Sequence, residues 1–221
     1  MVEVRTPKRT ALERPRVKKI LSLLSREYPH SRCALQYSTP LDLLVATVLS
    51  AQCTDARVNQ VTSQLFRRYR TAHDYAGTPQ AQLEADIRST GFYRNKARSI
   101  RSFCSALVRD HDGEVPRTLE ELVKLPGVGR KTANLVLAEA FGIPGLVVDT
   151  HVSRLSQRLG LTQKRDPDKI EQDLMKIIPR ESWDAVSLRL IEHGRKLCKA
   201  RSPLCHRCFL VKVCPTGLAR I

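Results

Sequence analysis

Apolar side chains recur at close to 3.6 residues along nearly the whole chain, and this restricts the fold more than any other property. Residues 55–69 place Val58, Val61, Thr62, Leu65, Phe66 and Tyr69 on one face. Residues 17–27 do the same with Val17, Ile20, Leu21 and Leu24, and residues 93–108 with Tyr93, Ala97, Ile100, Cys104, Leu107 and Val108. Such a stripe is what an amphipathic helix buries. No stretch alternates with period two, and Val147-Val148 is too short to define a strand. Thr39-Pro40, Thr78-Pro79 and Asp166-Pro167 each set a capping residue before a proline suited to the first helical position. Gly113, Gly142 and Gly160 stand where helices end. The pattern predicts an all-α protein.

At 221 residues the chain can build one large or two small domains with a real core. No apolar run approaches the roughly 20 residues of a membrane span. The first residues, MVEVRTPKRTALERPRVKK, are basic but lack the apolar segment of a secretory signal. Residues 1–15 are expected to form a flexible tail leading into a helix. Lysine and arginine number 38 against 22 aspartates and glutamates, a net charge of +16. That excess exceeds what solubility needs and points to a polyanion, nucleic acid before membrane, because the apolar helix faces are required for the core. Aromatic residues, at 5%, are too few for a base-stacking sheet.

Thr118-Leu-Glu-Glu121 reads as a capping box opening a short helix that ends near Leu125. Pro126-Gly127-Val128-Gly129 turns the chain, and a second helix follows with Ala133, Val136, Leu137, Ala140 and Phe141 on its buried face. Two glycines let the backbone approach a ligand, and the helix start adds a positive end suited to phosphate. With the basic charge and the adjacent Arg130 and Lys131, the turn is a candidate grip on a DNA backbone. It does not meet the Walker A pattern. Lys131 lies in the first turn of the second helix, opposite its apolar stripe. A lysine there can contact phosphate as a point charge. It can also act as a nucleophile, because the helix end and partial desolvation disfavour the ammonium, although bound phosphates oppose this. Eighteen residues on, Asp149-Thr-His151 opens another helix. Asp149 is an N-cap by position, and a cap can turn its second oxygen to a site. His151 is open between contacting DNA and packing.

Seven cysteines are present. Cys33, Cys53 and Cys104 are scattered and read as buried thiols. Cys198, Cys205, Cys208 and Cys214 are spaced C-x6-C-x2-C-x5-C. Structural zinc uses two close pairs or histidine partners, whereas this set has one close pair. Four thiolates also hold an iron–sulfur cube, so the spacing leans to a cluster with zinc as the alternative. Lys196, Lys199, Arg201, Arg207 and Lys212 surround the segment.

The hairpin, the VDTH aspartate and the cysteine spacing together resemble endonuclease III, a family of DNA repair glycosylases in the helix-hairpin-helix superfamily. The likeness covers about residues 16–215. It implies two helical domains: a six-helix barrel over 33–143, with the hairpin at about 116–142, and a domain of 16–32 plus 144–221 carrying a [4Fe–4S] cluster on Cys198, Cys205, Cys208 and Cys214. Lys131 and Asp149 match the family's catalytic pair. Gln52, in the Ser50–Asp55 loop, matches the glutamine that fills the space left by an extruded base. Phe92, in Gly91-Phe92-Tyr93, falls at a wedge position where leucine is frequent. Cys53 replaces a small residue. The implied activity is that of a bifunctional glycosylase and AP lyase, which excises oxidised pyrimidines through a lysine Schiff base and cuts the strand by β-elimination. The expected partner is double-stranded DNA containing damaged pyrimidines or abasic sites, with no membrane partner. The protein is expected to be a cytoplasmic monomer at the bacterial nucleoid. Two alternatives are an adenine mismatch glycosylase, which usually lacks the lysine and carries an extra C-terminal domain, and a non-catalytic DNA-binding module with a zinc site.

Overall fold

The structure, a computed structural model, describes residues 10–221. Helix α1 spans Thr10–Glu27. The expected tail over 1–15 therefore lies outside the described residues for 1–9 and is helical from Thr10 onward. Ala11, Leu12, Glu13 and Arg14 are good helix formers, so the backbone stays helical on the N-terminal side of Pro15. All regular structure among the described residues is helical, without a strand. The chain divides into two compact units, Cys33–Gly145 and the flanking segments joined as one, Met1–Arg32 with Leu146–Ile221.

In the unit Cys33–Gly145, α2 (Pro40–Leu49) begins at a complete capping box. The Thr39 side chain accepts from the Asp42 amide, and the Asp42 carboxylate accepts from the Thr39 amide. Apart from Pro40 and Val48, every residue of α2 is buried. A helix apolar on all sides lies inside its unit rather than on it. Around it come α3 (Asp55–Arg68), α4 (Ala72–Gly77), α5 (Gln80–Asp86), α6 (Tyr93–Asp110), α7 (Leu119–Leu122) and α8 (Arg130–Phe141). Leu43, Leu44, Ile100, Phe103, Leu107 and Val136 are fully buried in their shared core. Thr78-Pro79 does not start a helix in the expected way. The Thr78 amide donates to the Asp74 carbonyl at 3.1 Å and so closes α4, and α5 starts at Gln80 with Pro79 as its N-cap. Consecutive short helices leave Thr78 no room to serve both ends.

The other unit adds α9 (Thr150–Arg158), α10 (Pro167–Ile177), α11 (Trp183–Lys196) and α12 (Pro215–Leu218). Its core gathers Ile20 and Leu24 from α1, Val152 and Leu155 from α9, Ile170 and Leu174 from α10, and Leu190 from α11. The two ends of the chain thus close on one another around a single apolar cluster. Arg16 fastens them further, donating to the Leu159 and Gly160 carbonyls at 2.5 and 3.2 Å.

Candidate functional site

The hairpin turn stands on α7 and α8. At its entrance the Thr118 side chain accepts from the Glu121 amide, as expected, but the Glu121 carboxylate takes the Thr118 hydroxyl at 2.6 Å instead of completing the box. Two glycines occupy the turn for different reasons. Gly127 holds φ at +78°, and a Cβ there would meet Ser99 at 3.0 Å, so both backbone conformation and close approach to α6 demand glycine. Gly129 is extended at φ −86°, and a Cβ there would meet nothing within 4 Å. Its missing side chain leaves open space before α8. Between them Val128 is buried, 5% exposed, and packs the turn onto the core of its unit. No side chain caps α8, whose N-cap is Gly129. A helix start without a cap keeps its first-turn amides and positive end for an anion. Lys131 is exposed in that first turn, and Arg130 beside it is half-buried.

Two further loops of this unit carry predicted residues. Gln52 follows α2, is exposed, and adopts a left-handed backbone at φ 54°. Phe92 is the N-cap of α6, also left-handed at φ 48°, with 61% of its surface exposed. An aromatic ring so exposed is not part of the core, which removes the default role of its residue type.

In the other unit, Asp149 is the N-cap of α9. The amides of His151 and Val152 both donate to its Oδ1 at 2.8 Å. Its Oδ2 takes no hydrogen bond from the described residues, which leaves one carboxylate oxygen for chemistry. His151 is half-buried. Its Nδ1 lies 3.1 Å from Arg154 Nη2, and the ring sits so close to Gly194 of α11 that a Cβ there would fall 2.5 Å from Nδ1. Burial lowers the His151 pKa and the Asp149 carboxylate opposes it, while Arg154 and Arg195 lower it further.

The four clustered cysteines are unpaired thiols that line one cavity with His193, Leu210 and neighbouring apolar residues. The loop between them is built from single turns: Cys208 donates to the Cys205 carbonyl, Val211 to Cys208, and Cys214 to Val211. Among the described residues no three histidines, cysteines or acids converge tightly enough for a single metal ion. Burial first, and then the other thiols, pushes Cys208 up to about 11 and raises Cys214. Ionising these thiols calls for a positive partner, the role that a bound metal fills.

Two arginines that the sequence reading passed over join this loop to α9. Arg158 donates to Cys198 Sγ at 3.3 Å and to the Lys199 and Ala200 carbonyls at 2.8 and 2.6 Å. Arg154 donates to the Cys198 carbonyl at 2.9 Å and the Gly194 carbonyl at 3.2 Å. Their signal was their spacing of four residues along the helix that Asp149 caps, hidden among 38 basic residues. The basic residues flanking the cysteines, Lys196, Lys199, Arg201, Arg207 and Lys212, are all exposed, and Lys196 is paired with Glu192 at 2.6 Å.

Comparison with known proteins agrees with this architecture. A family model for the HhH-GPD superfamily of base excision DNA repair proteins matches residues 45–180. A model for the iron–sulfur binding domain of endonuclease III matches residues 198–214, beginning and ending on cysteines of the cluster. Endonuclease III of Synechocystis sp. is 54% identical over 96% of this chain and 97% of its own. That of Bacillus subtilis is 50% identical over 87% and 89%. A solved structure of a trapped endonuclease III–DNA covalent intermediate superposes with a TM-score of 0.89 at 50% identity, covering 94% of this chain and 98% of that one. The cofactor is accordingly a [4Fe–4S] cluster. The chain belongs to the endonuclease III family, the DNA glycosylases and AP lyases of base excision repair.

Proposed function

We propose that this enzyme excises oxidised pyrimidines from double-stranded DNA and cuts the strand at the resulting abasic site. The observation that carries the reading is an exposed Lys131 in the first turn of a helix whose start has no side-chain cap. The hairpin amides and Arg130 hold backbone phosphate. Gln52 and Phe92 enter the stack, Phe92 as an apolar wedge and Gln52 as the plug left behind when the damaged nucleotide is extruded. Extrusion is required because C1′ is out of reach inside a stacked duplex. The Lys131 amine forms a bond to C1′ as the C1′–base bond breaks, and the base leaves with the electron pair and a proton. Ring opening gives a protonated Schiff base. Loss of a C2′ proton then expels the 3′ phosphate. Asp149 Oδ2 stabilises positive charge on the sugar or accepts the amine proton, while Oδ1 keeps the cap. His151 gives its amide to the Asp149 cap, and its half-buried ring rests on Arg154 and Gly194.

Cys198, Cys205, Cys208 and Cys214 hold the [4Fe–4S] cluster, which fastens the segment bearing Lys199, Arg201, Arg207 and Lys212 toward DNA. A monomer acting on chromosomal DNA at the nucleoid fits this reading.

Borohydride reduction tests the assignment. Wild-type protein should be captured covalently on a duplex with an abasic site or oxidised pyrimidine, a chemistry consistent with the trapped intermediate solved for a relative. Lys131→Gln should abolish capture and keep most of the affinity, because the hairpin amides and the remaining basic residues still hold phosphate. Protein that binds damaged duplex tightly yet forms no adduct and releases no base would overturn the reading.

A further inference from the structure

Both loops assigned to the DNA stack depart from carbonyls held by a single buried side chain. Lys96 lies in the first turns of α6, four residues after Phe92, and is 5% exposed. Its ammonium donates to the Leu49 carbonyl at 2.8 Å and to the Thr90 carbonyl at 2.8 Å. Leu49 ends α2, three residues before Gln52, and Thr90 stands two residues before Phe92. Gln52 and Phe92 are two of the three non-glycine residues with positive φ among the described residues, the third being Asp112. Left-handed backbone at such residues is strained and persists where the surroundings over-determine it. A buried ammonium is costly, and burial indeed lowers the Lys96 pKa, with Cys53 acting in the opposite sense. An apolar side chain at this position would pack α6 without that cost. An ammonium does what an apolar chain cannot: it accepts no hydrogen bond but offers several donors, and so ties two carbonyls from distant segments to one point.

We propose that Lys96 is a positioning residue that clamps the Gln52 and Phe92 loops at a fixed spacing, so that plug and wedge meet the same base step. The proposal rests on the reading of Gln52 and Phe92 as the residues that enter the stack. Without the clamp the two carbonyls are left buried and unpaired, and the loops relax away from their strained conformations.

Lys96→Met keeps the length and removes the donors. Single-turnover base release from a duplex carrying an oxidised pyrimidine should fall by about tenfold, an amount in keeping with the loss of base-step unstacking. Borohydride trapping on single-stranded abasic oligonucleotide, which needs neither wedge nor plug, should stay within about twofold. The double variant with Phe92→Ala should be no slower than the slower single variant, because the wedge that Phe92→Ala removes is already out of place without the clamp. Additive losses, or equal losses on duplex and single strand, would overturn the clamp. If Phe92→Ala and Gln52→Ala shift the duplex-to-single-strand ratio and Lys96→Met does not, the clamp falls while the stack reading stands. If neither of those two variants shifts the ratio, the stack reading falls and the clamp with it. Should Lys96→Met fail to fold, Lys96→Gln, which retains a donor, carries the same comparison. Failure of both to fold assigns Lys96 to the core and overturns the proposal.

Discussion

Asp149 divides two duties between two oxygens, and the division makes the residue separable by mutation. Oδ1 takes two amides at the start of α9, and Oδ2 is open. Asparagine retains an oxygen for the cap and is as good an N-cap as aspartate. Asp149→Asn should therefore leave thermal stability nearly unchanged while base release falls by roughly 10²–10⁴, the usual contribution of a positioned acid–base group. Strand cleavage at a pre-formed abasic site should fall less, because no base has to depart. Asp149→Ala removes the cap as well and should cost a further ~0.5–2 kcal/mol of stability. Calorimetry beside single-turnover excision separates the two effects; equal destabilisation by both substitutions would contradict the cap geometry. The positions of Lys131 in the first turn of a helix and of Asp149 as an N-cap were legible in the sequence because each stands beside a local signal, a Pro-Gly turn and a helix start. His151 was not, because whether a histidine faces solvent or a glycine of another helix depends on Gly194, 43 positions later in the chain.

At the scale of elements, the hairpin and the cysteine loop are rigid for different reasons. The hairpin turn is set by steric demand at Gly127. Gly127→Ala would place a Cβ at φ +78° and 3.0 Å from Ser99 of α6. Strain of that kind costs about 1–3 kcal/mol, and denaturant unfolding should show the loss together with weaker DNA binding. Gly129→Ala meets neither obstacle within the protein and should keep the fold, so any loss of affinity there reports crowding against phosphate. The cysteine loop has only single turns and an apolar cavity, and its order depends on what the four sulfurs hold. Cys205→Ala should remove the visible absorbance of the cluster and expose the C-terminal segment to proteolysis, since metal binding and folding are coupled in such segments. Resistance to proteolysis equal to wild type would mean that the Arg154 and Arg158 bonds hold the loop by themselves.

For the molecule as a whole, the +16 charge sets its behaviour toward DNA. Affinity should fall linearly on logarithmic axes with salt, by about 0.9 for each phosphate neutralised; a slope near zero in a titration from low to physiological salt would exclude phosphate-dominated binding. Anaerobically purified protein should contain iron and sulfide in equal amounts without stoichiometric zinc, which elemental analysis can check. What the sequence by itself determined is local or compositional: the all-helical class from the 3.6-residue period, the hairpin from Pro126–Gly129, a four-thiolate metal site from the C-x6-C-x2-C-x5-C spacing, and the polyanion from net charge. Each is a property of neighbouring residues or of a sum, and neither requires knowing what packs on what. The tertiary structure decided the rest. It placed α2 inside its unit, turned Phe92 out of the core, set Ser99 against Gly127, joined Arg158 to a thiol 40 positions away, and gave the Lys96 ammonium two carbonyls from separate segments. Burial and hydrogen-bond partners depend on contacts between distant segments, and those contacts exist only once the helices have packed.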